Sequence, residues 1–150
     1  MRYMPKPVTV SVEVPQSREQ VFAFIDVLPN HAGYNDHFLR DWEFSGPERG
    51  VGAKAQAKAS ALGMTQTVEI EVIEAQAPER TVERNIAGGR VAQGTYKLDA
   101  LPNGGTRISF EYRWIETPFA ERLTAPLVRS VVRRAVAESL RRLAGQLPSN

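Results

Sequence analysis

The sequence predicts an α+β fold in which an antiparallel sheet packs against one long C-terminal helix. Between residues 39 and 114, segments of alternating apolar and polar residues are separated by turn signals, as in a meander of hairpins. From about Pro118 to Leu147 no glycine occurs before Gly145, and an apolar stripe recurs at helical spacing. That stripe must be buried, and the inner face of the sheet is the only large apolar surface available.

Length and composition indicate one globular domain over residues 1–150. A single core commonly spans about 100 to 200 residues, and the chain is 42% hydrophobic and 24% charged. The absence of cysteine excludes disulfides, thiolate zinc sites and a cysteine nucleophile. We find no apolar run of about 20 residues and no signal-peptide core, so a cytoplasmic protein is expected.

The small positive charge, +2 in all, is concentrated near the C-terminus. Residues 117–150 carry a net charge of +4, whereas the first 116 residues carry −2. An arginine-rich helix face could attract anionic lipid head groups or nucleic acid. A solvated helix surface explains the same pattern, and no interleaved aromatic residues favour nucleic acid.

The first elements follow from local signals. Val8–Val14 alternates with period two and ends at Pro15, as a half-buried strand should. Ser17 and Gln20 have the spacing of a capping box ahead of a short amphipathic helix. After the break at Pro29, a second, irregular helical turn is expected to cover residues 31–37. The long final helix is expected to start or be interrupted near Pro126.

Alternating alanines in the predicted sheet are the most informative local feature: Ala53, Ala55, Ala57, Ala59 and Ala61. If they face inward, they leave several methylenes of volume unfilled at each position. One interpretation is that a phenylalanine, a tryptophan or the long helix packs closer there. The other is that they widen a cavity that a ligand fills. The sequence leaves both open.

Polar candidates lie among these strands. Arg84 has the same parity as Val82 and Ile86, which predicts an inward side chain. It should reach an acidic group or the cavity mouth, or serve a carboxylate or phenolate on a ligand, unless it reaches water at the strand end. Tyr96, Tyr112 and Trp114 combine apolar bodies with polar tips. They suit a pocket lining or a plain aromatic core equally.

Metal and nucleophile chemistry have no support in the sequence. His31 and His37 are six residues apart and have no partner at metal-ligand spacing, although either could act as an acid or base near a cavity mouth. No nucleophile elbow, Walker or dinucleotide motif occurs. We therefore expect no metal and no cofactor.

The order of elements and several motifs resemble the START/Bet v1-like superfamily, which includes polyketide cyclase/dehydrase and lipid-transport proteins. The matching positions are Val10-x-Val12, Pro15-x-Ser17-x-Glu19-x-Val21-Phe22-x-Phe24-Ile25, Gly50-x-Gly52, Ala77-Pro78-x-Arg80, Gly94-x-Tyr96-x-Leu98, Gly105-Thr106-x-Ile108 and Leu140-x-x-Leu143. These are mostly turn and core positions, so they identify a fold better than an activity. Many relatives carry tryptophan where this chain has Tyr34-Asn35.

The resemblance implies a helix-grip fold: a curved antiparallel sheet of six or seven strands around the C-terminal helix, with two short helices after the first strand. It also implies a hydrophobic cavity between sheet and helix. The expected lining residues are Tyr34, His37, Ala55, Ala57, Ala59, Val68, Ile70, Arg84, Tyr96, Phe110, Tyr112, Trp114, Leu127 and Val131.

Three functions remain open at this stage. The first is a non-enzymatic carrier or sensor that encloses a small apolar or amphipathic molecule, with Arg84 and the tyrosines holding its polar end. The second is an enzyme resembling aromatase/cyclases, in which acid–base residues of the same cavity act without metal or cysteine. The third is a protein-interaction module. A small-molecule partner is expected, membrane contact is weakly supported, and no nucleic acid is expected.

Overall fold

The computed structural model describes residues 4–61 and 63–149. It contains seven strands in one antiparallel sheet of order β1-β7-β6-β5-β4-β3-β2. The strands are β1 (Val8–Val14), β2 (Leu39–Ser45), β3 (Lys54–Ala61), β4 (Met64–Gln76), β5 (Arg80–Ala87), β6 (Arg90–Ala100) and β7 (Thr106–Glu116). The predicted meander is confirmed, and the first strand has the predicted bounds. The side chain of Ala61, one of the five alternating alanines, lies outside the described residues.

The described residues also form three α-helices: α1 (Arg18–Asp26), α2 (His31–Asn35) and α3 (Ala125–Gln146). Short 3-10 turns at Leu28–Asn30 and Phe119–Leu123 precede α2 and α3. The long helix starts at the predicted place, with Pro126 in its first turn, where its missing N–H costs nothing. This is the curved-sheet, helix-grip α+β arrangement. Within the described part of the chain, no helix has both the length and the apolarity of a membrane span.

The predicted capping box is present at the start of α1. The Ser17 hydroxyl accepts a hydrogen bond from the Gln20 N–H, and the Gln20 side chain accepts one from the Ser17 N–H. These bonds satisfy backbone donors that an uncapped helix leaves unpaired. The buried face of α1, formed by Val21, Phe22 and Ile25, is thereby directed at the sheet.

The main apolar cluster joins α1, α2 and the C-terminal half of α3 to strands β1, β6 and β7. Its buried members are Val14, Val21, Phe22, Ile25, Tyr34, Tyr96, Leu98, Ile108, Phe110, Val136, Leu140, Leu143 and Leu147. We call the side of the sheet that faces this cluster the inner face. Directly paired residues of neighbouring strands share a face, so the register assigns every strand residue to one side.

A second, smaller cluster lies at the other end of the inner face. Leu28 packs with Ala53 and Ala55 of β3 and with Ile70 and Val72 of β4. Trp42 and Val68 are partly buried against this group. Ala53 and Ala55 are therefore buried against larger apolar side chains. The buried Ala57 belongs to neither cluster.

Side-chain hydrogen bonds attach α2 to α3. The Ser139 hydroxyl donates to Asn35 Oδ1 over 2.6 Å, and the Gln146 amide donates to the Gly33 carbonyl over 3.0 Å. An Arg142–Asp36 ion pair lies just beyond the end of α2. These contacts fix the short helix α2, which carries His31 and Tyr34, relative to the long helix.

Leu143→Ala should lower the free energy of unfolding by about 2 to 5 kcal/mol, because the side chain is fully buried in the main cluster and the substitution leaves a cavity. Leu123→Ala is the matched control. Leu123 is 80% exposed, so the same chemical change should cost less than about 0.5 kcal/mol. Urea denaturation of both variants measures the difference, and equal costs would show that α3 is not packed as described.

Candidate functional site

Polar residues occupy the inner face of β5, between the two apolar clusters. Glu83 pairs with Val72 of β4 and Gly94 of β6, and Asn85 pairs with Ile70 and Ala92. Because directly paired residues share a face, Glu83 and Asn85 lie on the same face of the sheet as these apolar partners. The position is unusual, because polar side chains on a sheet normally face water and buried carboxyls usually have a cationic partner.

The Glu83 side chain is only 12% exposed and lies within ion-pair distance of His31 of α2, with 3.9 Å between Glu83 Oε2 and His31 Nδ1. Among residues 4–61 and 63–149, no lysine or arginine is recorded within ion-pair distance of it. Burial raises the pKa of Glu83 to about 7, and a hydrogen bond from Asn85 only partly opposes this. The carboxyl can therefore gain or lose a proton near neutral pH.

The buried His31 side chain has its protonation pattern set by the backbone. Its Nε2 lies 2.7 Å from the carbonyl oxygen of Ile25, so Nε2 carries the proton and donates. Burial lowers the pKa of His31 to about 4, despite the opposing effect of this hydrogen bond. In the neutral ring, Nδ1 is an acceptor that points toward Glu83. We call His31, Glu83 and Asn85 the polar site.

Three tyrosines surround the polar site. The hydroxyls of Tyr34 on α2 and Tyr96 on β6 are hydrogen-bonded over 2.9 Å, and both rings lie within 5.6 Å of the His31 ring. Tyr112 of β7 pairs with Gly94, beside Glu83. Burial is the main cause of the raised pKa of each tyrosine, to about 12 for Tyr112, and the Glu83 charge adds to it. All three hydroxyls therefore remain protonated at neutral pH.

Gly94 makes room for this arrangement. A Cβ atom at Gly94 would lie 2.6 Å from Cζ of Phe110 and 3.1 Å from Oε1 of Glu83. The first distance is too short for any real carbon contact, so a side chain here would displace the Phe110 ring. The glycine lets the Glu83 carboxyl and the Phe110 ring lie close to the sheet backbone.

Partial solvent access distinguishes this region from a closed core. Inner-face residues of four strands remain partly exposed: Ala59, Val68, Glu83, Asn85 and Tyr112. Three valines in the N-terminal half of α3 are also only partly buried: Val128, Val131 and Val132. Two surface cavities of about 230 and 410 Å³ lie toward the β2 end of the sheet, and neither includes a residue of the polar site.

Most of the predicted lining residues do lie on the inner face or the elements that cover it. They are Tyr34, Ala55, Ala57, Ala59, Val68, Ile70, Tyr96, Phe110, Tyr112, Trp114 and Val131. Whether they contact a ligand stays a prediction. Tyr34, Tyr96 and Phe110 pack in the main cluster, and Trp114 is buried opposite Ala92.

The predicted inward orientation of Arg84 is wrong. Arg84 pairs in register with Glu71 and Gln93, on the face opposite Glu83. Its side chain is 46% exposed and forms an ion pair with Glu71 at 3.1 Å. Ile86, on the same side, is also exposed. The apolar residues of this strand misled the sequence interpretation, because the polar residues Glu83 and Asn85 take the inner face.

Two further predicted residues have other environments. His37 Nε2 donates to the Ala135 carbonyl over 3.0 Å, so this side chain contacts the α3 backbone. Leu127 is 54% exposed in the first turn of α3. Sequence reasoning also missed Glu83 and Asn85 and allowed His31 only a general role. The one available signal was the polar alternation Thr81-x-Glu83-x-Asn85, in which Glu83 and Asn85 lie opposite the small residues Gly94 and Ala92 of the next strand.

The amino-acid sequence also matches a model of a known protein family. The model described as polyketide cyclase / dehydrase and lipid transport matches residues 6–147. The chain belongs to that family. No curated protein matches the sequence at a significant level.

Solved structures similar to this family member are related in fold at low identity. The crystal structure of TTHA0849 from Thermus thermophilus has a TM-score of 0.80 and 19% identity, with 95% of this chain and 97% of that chain covered. The Zhui aromatase/cyclase from Streptomyces sp. R1128 has a TM-score of 0.75 and 17% identity, with 97% and 94% covered. A START superfamily protein from Mycobacterium smegmatis has a TM-score of 0.75 and 11% identity, with 94% and 96% covered. These likenesses show the shared fold.

Replacing Glu83 with glutamine should change how stability depends on pH. The folded protein holds the Glu83 proton more tightly than the unfolded chain, so this contribution to stability is complete below pH 4.5 and is lost as pH rises to about 7. His31 acts in the opposite sense, because its lowered pKa gives stability that is lost as pH falls from 6.5 to about 4. Between about pH 4 and pH 7, the Glu83 and His31 contributions to the pH dependence of the unfolding free energy therefore nearly cancel in the wild type.

Glu83→Gln removes only the first effect, so its unfolding free energy relative to wild type should rise by about 3 kcal/mol between pH 4.5 and pH 8. Urea midpoints across this range measure the change. Glu71→Gln, on the outer face of the adjacent strand, should show no comparable rise. A flat difference for Glu83→Gln would mean that Glu83 is solvated in the folded protein.

Proposed function

We propose that the protein binds a small hydrophobic or amphipathic molecule between the inner face of the sheet and the N-terminal half of α3, with its polar end at the polar site. The observation that carries this proposal is the position of Glu83. It is a nearly buried carboxyl, without a recorded cationic partner among the described residues, between two separate apolar clusters. Such a group is costly to bury and suits a site that a ligand completes.

Apolar side chains beside the polar site would supply most of the affinity. Val68, Val131 and Tyr112 are partly exposed in the free protein, so a ligand that covers them removes apolar surface from water. At about 25 cal/mol per Å², burying roughly 300 Å² contributes on the order of 7 kcal/mol before the costs of association. The few polar atoms would then decide which molecules are accepted.

An ion pair at one end of the sheet marks a candidate entrance. Arg90, in the first position of β6, pairs with Glu121 of the 3-10 turn before α3 and also donates to Gln66 of β4. This contact connects the β5–β6 hairpin with the segment that leads into the long helix. Opening it would separate these two segments without breaking either apolar cluster.

Acid–base catalysis is a second candidate, favoured by the proton balance between Glu83 and His31. A carboxyl with a raised pKa can donate a proton to a ligand carbonyl oxygen, and a neutral imidazole can accept one. The similarity in fold to an aromatase/cyclase supports testing this chemistry. A bound ligand that is recovered chemically unchanged after long incubation would exclude catalysis on that ligand and leave binding intact.

Val131→Phe should weaken binding of the uncharged fluorophore diphenylhexatriene at least tenfold. Val131 is half-buried in the half of α3 that we assign to the site, so the larger ring would fill the proposed space. Arg134→Phe, three residues further along the same helix and exposed, is the matched control and should bind like wild type. Fluorescence titration of the three proteins measures the affinities. No binding by wild type, or equal binding by both variants, would contradict the proposed location.

A further inference from the structure

When Glu83 is ionised, its two carboxylate oxygens, His31 Nδ1 and Asn85 Oδ1 give the polar site several hydrogen-bond acceptors. His31 Nε2 is occupied by Ile25, which leaves Nδ1 as an acceptor. Asn85 donates to Glu83, and its own Oδ1 is buried without a hydrogen-bond partner among the described residues. An ionised Glu83 carboxylate adds two acceptor oxygens. A ligand group that complements these acceptors brings several donors.

The distance between His31 and Glu83 fits a bridging nitrogen. At 3.9 Å, Nδ1 and Oε2 are too far apart for a direct hydrogen bond. A single nitrogen at about 2.8 Å from each atom would subtend an angle of roughly 90° between them, which suits two N–H bonds of one ammonium group. A third N–H would remain for Asn85, which hydrogen-bonds to Glu83.

The charge of Glu83 and the neighbouring aromatic rings also favour an ammonium group. The rings of Tyr34 and Tyr96 lie within 5.6 Å of the His31 ring. Tyr112 is near enough to Glu83 for the Glu83 charge to raise the pKa of Tyr112. Aromatic faces attract cations, and a buried carboxylate gains most from a cationic partner. A ligand carboxylate or phenolate would instead meet the like charge of Glu83.

We propose that the polar site recognises the protonated amine of an amphipathic ligand, with Glu83 as counter-ion and His31 Nδ1 and Asn85 Oδ1 as further acceptors. This inference rests on the proposed function, because it assigns the polar end of the same ligand. It reverses the expectation that Arg84 would hold an anionic end, since Arg84 lies on the opposite face.

The proposal has a specific pH dependence. The groups that face Glu83 are His31 and Tyr34 from α2, Tyr96 from β6 and Tyr112 from β7, and all four are uncharged near pH 7. Val72 faces it from β4. An alkylammonium remains charged throughout this range. Amine affinity should therefore rise as Glu83 loses its proton, whereas a ligand that accepts a hydrogen bond from the neutral carboxyl should weaken.

Displacement of diphenylhexatriene by octylamine, octanol and octanoate tests the assignment, because the three probes share one apolar body. At pH 8, octylamine should bind at least tenfold more tightly than octanol, and octanoate should bind most weakly. This preference for the amine should shrink severalfold at pH 5.5. It should be lost in Glu83→Gln and retained in Glu71→Gln, whose carboxyl lies on the outer face.

The outcomes separate the two proposals. If octanol displaces the fluorophore but octylamine is no tighter at pH 8, or if Glu83→Gln keeps the preference, the amine assignment is overturned while the binding proposal stands. If wild type binds neither the fluorophore nor any of the three probes, the binding proposal fails as well. Should Glu83→Gln not fold, the pH dependence of the wild-type preference still decides, and an unchanged preference at pH 5.5 overturns the assignment.

Discussion

The cost of desolvating one carboxyl is the constraint on which the arrangement of this protein depends. Glu83 faces the inside of a curved sheet, and its pKa is raised because water is largely excluded and no cationic partner among the described residues compensates. An unpaired carboxylate in such a place costs free energy, so at neutral pH the protein holds a mixture of protonated and ionised forms. A bound cation would remove that cost.

The surrounding elements each keep the carboxyl in this position. Gly94 has no side chain, which lets Phe110 and Glu83 approach the backbone of β6. The helix α2 brings His31 against Glu83, and its attachment to α3 through Asn35 and Ser139 holds it there. The main cluster buries the C-terminal half of α3, while Val128, Val131 and Val132 in the N-terminal half remain partly exposed. The C-terminal half of α3 is therefore packed in the core, whereas its N-terminal half keeps partial contact with solvent.

Much of the fold could be predicted from local sequence signals, and the orientation of β5 could not. The capping box at Ser17 and the helix start at Pro126 depend on nearby residues, which the sequence displays directly. In β5, the usual rule that apolar residues face inward puts Ile86 and Arg84 on the inner side, but Glu83 and Asn85 take the inner face and Ile86 is exposed. The burial of His31 depends on how α2 packs against Glu83 and Tyr96, contacts that are distant in sequence.

A direct titration of the Glu83 carboxyl is the most decisive measurement. The side-chain carboxyl carbon, followed by ¹³C NMR in the free protein and assigned with Glu83→Gln, reports its protonation at each pH. The account predicts a midpoint near pH 7, and a lower midpoint when octylamine is bound, because a cationic partner favours the ionised form. A midpoint near the ordinary value of 4.5, unchanged by the amine, would contradict it.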